Sequence, residues 1–280
     1  MPVVATNTAA NSALRFLNRN SSMASGSVGK LASGSRIVKA SDDAAGLAIG
    51  TRLMADVTAL TQAGINASQG ASVVQVADGG LGRIGDVLQR MKALAAQSLS
   101  GVPTDTERGF IDAEYQELKS EITAIAQTTR FNGASLLDGA TAAAAPSDYF
   151  VGTDVSDTIT VTFSALAGSV AGFTSTLMGI TGNVASATGA SASMSAVDRA
   201  IDLISEARAT AGALISRFEF RGQQIATSLE NIDAAKSAIM DVDLAAEQSK
   251  LVSNQVLVQA AVSAVSQANQ IPQSLLRVLQ

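Results

Sequence analysis

The chain has 280 residues, 47% of them hydrophobic, which is enough apolar material for a substantial core. It carries 19 Lys and Arg against 24 Asp and Glu, and it contains no His and no Cys. Disulfides and thiol chemistry are therefore excluded, and the commonest metal ligand and neutral-pH proton shuttle are missing. We expect a protein that is not an enzyme and that uses no cofactor or metal.

The amino-terminal segment has a helical repeat with weak contents. Gly26, Gly29 and several serines lower its helix propensity, so we expect it to become helical only against a partner. Its five basic residues before Asp42 are too scattered, with one aromatic among them, to predict a nucleic-acid interface. The stripe consists of Ala10, Leu14, Leu17, Ser21, Ala24, Val28 and Leu31.

Two further helices are predicted in the first half of the chain. The first begins near Ala44, directly after two aspartates that can cap it, and ends near Ser100. Either Thr104 or Asp105 can cap the second, and Asn132-Gly133 marks a turn after it.

The composition changes between Gly139 and Ser195, where Ala, Gly, Ser and Thr dominate. An alternating stretch from Thr158 to Phe163 follows Tyr149 and an acidic turn. This pattern predicts one β-hairpin within a short surface insert.

An apolar repeat averaging 3.5 residues then extends from Val197 to Ile239. A helix of that length would measure roughly 65 Å at about 1.5 Å per residue, too long for a compact globule. The repeat therefore predicts a rod. The residues assigned to its core are Ile201, Ile204, Ile215, Phe218, Ile225, Leu229 and Ile232.

The carboxyl-terminal, amide-rich segment ends at Pro272. Residues 251–276 carry no charge, but their many Ser, Asn and Gln side chains argue against membrane insertion and for burial by protein. The two terminal segments can lie together, and their poor stripes are predicted to drive polymerisation. The residues expected to mediate it are Leu14, Leu17, Val28, Leu31, Leu251, Val258, Val262 and Val265.

These patterns together predict a mainly α fold, an elongated antiparallel helical bundle or coiled-coil rod with one small β-hairpin insert. Three domains are expected. They are a terminal coiled-coil domain of residues 1–44 plus 237–280, a helical rod domain of residues 45–138 plus 195–236, and a surface insert of residues 139–194.

Several segments resemble bacterial flagellins, over roughly residues 1–138 and 195–280. They are KLASGSRI at 30–37, ASDDAAGLAI at 40–49, LQRMKALA at 88–95, FNG at 131–133 with LL at 136–137, and QANQIPQSLL at 267–276. The resemblance implies a subunit that polymerises into the flagellar filament for swimming motility, with the terminal domain lining an inner tube. It also implies export through the flagellar secretion channel to the outside of the cell, with an export chaperone, a cap and hook-junction proteins as partners.

The resemblance extends to a site for a vertebrate innate immune receptor. In flagellins that activate this receptor, recognition depends on an Arg, a nearby Gln and Leu, and a Glu in the following helix. The matching positions are Gln89, Arg90, Leu94 and Glu114. We expect Arg90 and Leu94 to lie one turn apart on one exposed face. The alternative interpretation is that Arg90 and Glu114 only form polar contacts between subunits.

Other functions fit the sequence less well. A hook-filament junction protein would share the terminal helices, but the Pro272 motif and the short insert favour the filament subunit. A soluble helical enzyme or ligand-binding protein would need a pocket with convergent polar groups, and the sequence indicates none. Gly80 to Gly85 match the dinucleotide-binding spacing, but helical sequence flanks them, so we interpret them as helix-packing glycines.

Overall fold

A computed structural model describes residues 7–139, 148–161 and 172–278. In these residues the chain forms five helices and two short antiparallel hairpins, which confirms the mainly α fold. The helices are α1 Thr8–Ser33, α2 Ala44–Leu99, α3 Asp105–Thr128, α4 Ala187–Met240 and α5 Leu244–Val278. The strands are β1 Arg130–Phe131, β2 Ala134–Ser135, β3 Asp148–Phe150 and β4 Thr158–Thr160.

The helix ends follow from local side-chain chemistry. Asn7 caps α1 by accepting a hydrogen bond from the backbone of Ala10, and Gly34 ends this helix with φ 69°, a left-handed conformation that favours glycine. Thr104 caps α3 in a full capping box with Glu107, which resolves the alternative left open by the sequence. The carboxyl-terminal segment was expected to end at Pro272, but α5 continues past this residue to Val278.

The fourth helix starts earlier than the apolar repeat predicts, at Ala187 instead of Val197. The added turns carry small residues, and Ala190, Ser193 and Ala196 among them are buried. Small side chains contribute little to a hydrophobic repeat, although they allow helices to pack closely.

The predicted hairpin is present as β3 paired with β4, in the register Tyr149 opposite Ile159. Phe163, the end of the predicted alternation, lies outside the described residues. The structure adds a second hairpin, β1 with β2, around the turn predicted at Asn132-Gly133. Both turn residues have positive φ, 48° and 83°, as a tight hairpin turn requires.

The chain divides into two compact units, Met1–Val57 with Glu230–Gln280 and Thr58–Leu229. We call them the terminal unit and the central unit. The expected division into three domains stays a prediction. In the terminal unit, α1 packs on α5. Both weak segments of the sequence are therefore helical, and each is the other's partner.

The rod-core prediction can be compared with burial along α4. Five successive positions at seven-residue spacing are buried, namely Val197, Ile204, Ala211, Phe218 and Ile225. The other predicted core residues, Ile201, Ile215, Leu229 and Ile232, are half-buried. This alternation of deep and shallow positions is the pattern of a helix whose seam faces other helices.

Glycines and hydrogen bonds complete the packing of the central unit. A Cβ added at Gly70 would collide with the ring of Phe218, and one added at Gly80 would collide with the Leu137 side chain. The second contact supports the interpretation of Gly80 as a packing glycine. The segment before α4 is attached by Ser98, whose hydroxyl donates to the Val184 carbonyl at 2.5 Å.

Candidate functional site

The helices α1 and α5 pack against each other along one face of each helix, and we call the side chains between them the seam. Two hydrogen bonds cross it: Ser27 donates to the Glu247 carboxylate at 2.7 Å, and the Asn7 amide donates to the Ala268 carbonyl at 2.8 Å. Since Ser27 follows Asn7 and Glu247 precedes Ala268, the two helices run antiparallel. The buried and half-buried seam residues are Ala10, Ala13, Leu17, Asn20, Ala24, Ser27 and Leu31 on α1, and Glu247, Leu251, Asn254, Val258, Ala261, Val265 and Ala268 on α5.

The structure separates the predicted polymerisation residues into two groups. Five are shielded from solvent and belong to the seam: Leu17, Leu31, Leu251, Val258 and Val265. Three are exposed and lie outside it: Leu14, Val28 and Val262. The single stripe predicted for α1 was therefore wrong at three positions, because the seam passes through Ala13, Asn20 and Ser27 instead of Leu14, Ser21 and Val28.

The exposed group is part of a larger set that the sequence analysis missed. Besides Leu244, the first residue of α5, eight large apolar side chains on the pair are between 41% and 60% exposed. Their exposure is unusual for a free protein surface and is typical of a surface that another protein covers. We call them the outer apolar residues: Leu14, Phe16, Met23, Val28, Val252, Val256, Leu257 and Val262.

Residues 34–43, which connect α1 to α2, cap the carboxyl-terminal end of α4. The Arg36 amide donates to the Met240 carbonyl at 2.6 Å, and the Arg36 guanidinium donates to the Ile239 carbonyl at 2.8 and 3.2 Å. The Ser35 hydroxyl also donates to Met240. These carbonyls are the acceptors that a helix end leaves unpaired, and a cation is favoured beside them. The connection thus ties α1 to the end of α4 within the terminal unit.

Glu247 is the one charged residue that is buried in the described part of the chain. The Ser27 hydroxyl holds the pKa of this carboxyl below its usual value, and Lys250, 3.2 Å from the second oxygen, acts in the same direction. Burial opposes both effects. The carboxylate is therefore ionised at neutral pH, with a hydrogen bond on one oxygen and a cation near the other.

The four residues matched to the receptor site lie in the central unit, on α2 and α3. The Arg90 guanidinium donates twice to one oxygen of Glu114, at 2.6 and 2.8 Å, and both side chains are about half exposed. Gln89 is exposed beside them. Three of the four residues are thus available to a partner.

Leu94 does not fit the expected site, because it is only 2% exposed. The expectation of an exposed apolar side chain one turn after Arg90 was wrong. The reason is that α2 has neighbours on two sides: Arg90 pairs with Glu114 of α3, and Lys92 pairs with Asp198 of α4 at 2.6 Å. Leu94 belongs to the core between these helices.

Other kinds of site find little support in the described residues. They contain no group of three or more acidic side chains that could hold a metal ion. None of their helices is long and apolar enough to cross a membrane, including the uncharged stretch of α5. Apolar side chains exposed along the terminal helix pair of a helical chain are a feature of subunits that assemble into a protein polymer.

Comparisons with known proteins agree with this class. The family model for the bacterial flagellin N-terminal helical region matches residues 4–142, and that for the C-terminal helical region matches residues 194–279. The chain is 33% identical over 275 residues to the flagellar filament 30.7 kDa core protein of Treponema maltophilum, covering 95% of both chains. It is 34% identical over 298 residues to the flagellin of Bacillus subtilis, covering 98% of both.

Among solved structures, the crystal structure of Bacillus cereus flagellin matches with 30% identity and a TM-score of 0.48, over 61% of this chain and 94% of that one. The two family matches and the full-length relatives establish that this chain belongs to the bacterial flagellins. It is a structural subunit of the flagellar filament.

Proposed function

We propose that the helix pair α1–α5 is the surface through which this flagellin polymerises, and that it lines the inner tube of the filament. The observation that carries the proposal is the set of outer apolar residues, which the chain itself leaves exposed. Burying apolar surface contributes about 25 cal/mol per Å², so eight such side chains covered by neighbouring subunits supply a substantial driving force.

The two groups of predicted polymerisation residues then have separate tasks. The seam residues Leu17, Leu31, Leu251, Val258 and Val265 hold α1 against α5 in one subunit. The exposed residues Leu14, Val28 and Val262 contact neighbouring subunits, together with the rest of the outer apolar set. The pair must therefore form before its outer faces are presented together, which couples folding of the terminal unit to assembly.

Membership of the flagellins supports the remaining partners. We infer that the chain is exported through the flagellar secretion channel with the help of a chaperone and assembles beneath a cap on hook-junction proteins. The filament that results is extracellular. The expected domains fit this assignment, with residues 1–44 plus 237–280 inside, residues 45–138 plus 195–236 around them, and residues 139–194 as a small surface insert.

We also infer that the dissociated subunit binds the vertebrate innate receptor through Gln89, Arg90 and Glu114. The support is the planar, half-exposed guanidinium of Arg90, held in place by Glu114. Fixed arginines of this kind are common in the energetic centres of interfaces. Leu94 has no contact role in this proposal, because it is buried.

Seeded polymerisation tests the main proposal. Sonicated filaments are mixed with the natural chain, with a Val262→Glu variant, and with a Val102→Glu control, and filament mass is measured by sedimentation. Val102 is 88% exposed and lies between α2 and α3, outside the helix pair. We expect growth by the natural chain and the control, and none by Val262→Glu, because a carboxylate would be buried between subunits. Growth of Val262→Glu at the natural rate would refute the proposal.

A further inference from the structure

The central unit also carries an exposed aromatic side chain beside basic residues on α4. Arg217, Phe220, Arg221 and Gln224 follow one another at spacings that place them on one face of the helix. With Ile159 of β4 they line a groove of about 240 Å³. Phe220 is 73% exposed, which is costly for a phenylalanine that no other group covers.

The groove has an excess of positive charge. The Arg221 guanidinium is partly neutralised by Asp157, at 3.3 Å, and also donates to Gln224. Arg217 is exposed and forms no salt bridge with any residue that the structure describes. One unpaired guanidinium therefore lies beside an exposed aromatic ring.

A face of opposite charge occurs on α3. Phe110 is also 73% exposed, and Glu114, Glu117 and Glu121 follow it at spacings of four, three and four residues, which is one helix face. Glu114 is paired with Arg90. Glu117 and Glu121 are exposed and have no salt bridge within the described residues. The two surfaces therefore match in type, since each combines an exposed ring with unpaired charge.

The two surfaces cannot meet within one chain. Glu114 lies beside Arg90 of α2, whereas Phe218, adjacent to the groove, lies beside Gly70 of the same helix. Twenty residues of α2 separate these two levels, which is roughly 30 Å at about 1.5 Å per residue. Because α3 runs antiparallel to α2, Glu121 lies about 10 Å nearer the groove than Glu114, which still leaves roughly 20 Å between them. The acidic face of one chain can therefore reach the groove only on another chain.

We propose that the groove of Arg217, Phe220 and Arg221 binds the acidic face of Phe110, Glu117 and Glu121 on a second copy of this chain. The contact joins two different surfaces. A growing row of subunits therefore always has one free groove at one end and one free acidic face at the other. Contacts of that type produce open helical polymers instead of closed dimers. The proposal rests on the proposed function as a filament subunit, and it adds a second contact in the central unit to that of the helix pair.

Charge reversal on both sides tests the contact. Arg217→Glu places like charges opposite Glu117, and Glu117→Arg places like charges opposite Arg217. We expect seeded growth of each single variant to need a subunit concentration at least about tenfold higher than that of the natural chain. The reason is that like charges at an interface oppose binding. The double variant Arg217→Glu/Glu117→Arg restores opposite charges and is expected to grow within about threefold of the natural concentration.

Matched controls are available on α4. Arg199 and Glu206 are both exposed and lie outside the groove, so Arg199→Glu and Glu206→Arg are expected to assemble normally. Unfolding midpoints of all variants should stay at the natural value. Normal growth of both single variants, or a double variant no better than either single one, would overturn the contact. Failure of the natural chain itself to extend seeds would instead refute the proposed function.

Discussion

Ser27 and Glu247 are joined by a buried hydrogen bond between the two terminal helices, although 220 residues separate them in the sequence. Each is 6% exposed, in a seam that otherwise consists mainly of Ala, Leu and Val. A buried carboxylate must be paired, so the contact makes the helix pair sensitive to the charge of a single side chain.

The first prediction concerns pH. The pKa of Glu247 is lowered in the folded chain, chiefly by Ser27, so the stabilisation is present above its ordinary value of 4.5 and is lost as the pH falls through the folded value. We expect Ser27→Ala to cost about 1–3 kcal/mol at pH 7, and less once the carboxyl is protonated. Heat depolymerisation of filaments at neutral pH and at a pH well below 4.5 measures this.

Glu247→Gln serves as the control for that experiment. It keeps an oxygen that can accept from Ser27 but removes the charge, so the contribution of this site should no longer depend on pH. An equal loss of stability for Ser27→Ala at both pH values would contradict the assignment.

The second prediction separates a surface residue from a core residue on α2. Arg90→Ala removes an exposed ion pair and should change the free energy of unfolding by less than about 1 kcal/mol. Leu94→Ala should cost about 2–5 kcal/mol, because it leaves a cavity in the core. Denaturant unfolding of both variants decides the matter. A stable Leu94→Ala chain would show that the position is not part of the core.

The third prediction concerns the receptor. We expect dissociated subunits to bind its ectodomain and intact filaments not to, since the proposed contact covers the face that contains Glu114. Arg90→Ala should lower the affinity by on the order of 2 kcal/mol. A titration of subunits measures both points, and binding that Arg90→Ala leaves unchanged would assign Arg90 a structural role only.

The fourth prediction concerns the core of α4. Ile225 is 6% exposed, so Ile225→Asp would bury an unpaired carboxylate at a cost of several kcal/mol and should unfold the chain. Ala226 is the next residue and is exposed. Ala226→Asp should keep the natural helical circular dichroism and unfolding midpoint, and a folded Ile225→Asp chain would disprove the assigned core.

The fifth prediction divides folding from assembly. Deleting residues 261–280 removes the seam residues Ala261, Val265 and Ala268 and the outer residue Val262. We expect a soluble protein that retains the helical signal of its central unit and does not extend seeds. Circular dichroism and sedimentation test the two halves of this statement, and continued filament growth would show that this part of α5 is dispensable.

The sequence predicts the helices well, and it places Ile204, Phe218 and Ile225 correctly among the deep positions of α4, because large apolar side chains at multiples of seven residues leave few alternatives. It is less reliable on α1, where the seam consists largely of small residues. A seam through Ala13 and Ser27 carries less hydrophobic signal than one through Leu14 and Val28, so the pattern favours the larger side chains. The exposure of Leu14 and Val28 is explained by contact with a second subunit, which the sequence of one chain does not show.

Leu94 illustrates a different limit. Spacing along one helix shows which residues share a face, but it does not show how many neighbours the helix has. Since α2 contacts both α3 and α4, its buried surface is wider than a single stripe. The exposed ring of Phe220 was missed for a related reason, because an apolar residue beside two arginines shows no clear pattern in the sequence.

The bond between Asn7 and Ala268 has a consequence for the order in which the chain is made. Ala268 is synthesised 261 residues after Asn7, so the first helix leaves the ribosome long before α5 exists. Pairing across so many residues is entropically costly and slow, whereas α2 and α3 can associate as soon as both are complete. A nascent chain of this protein therefore carries α1 unpaired and weakly helical until α5 has been made, and during this stage a binding factor would have the longest access to it.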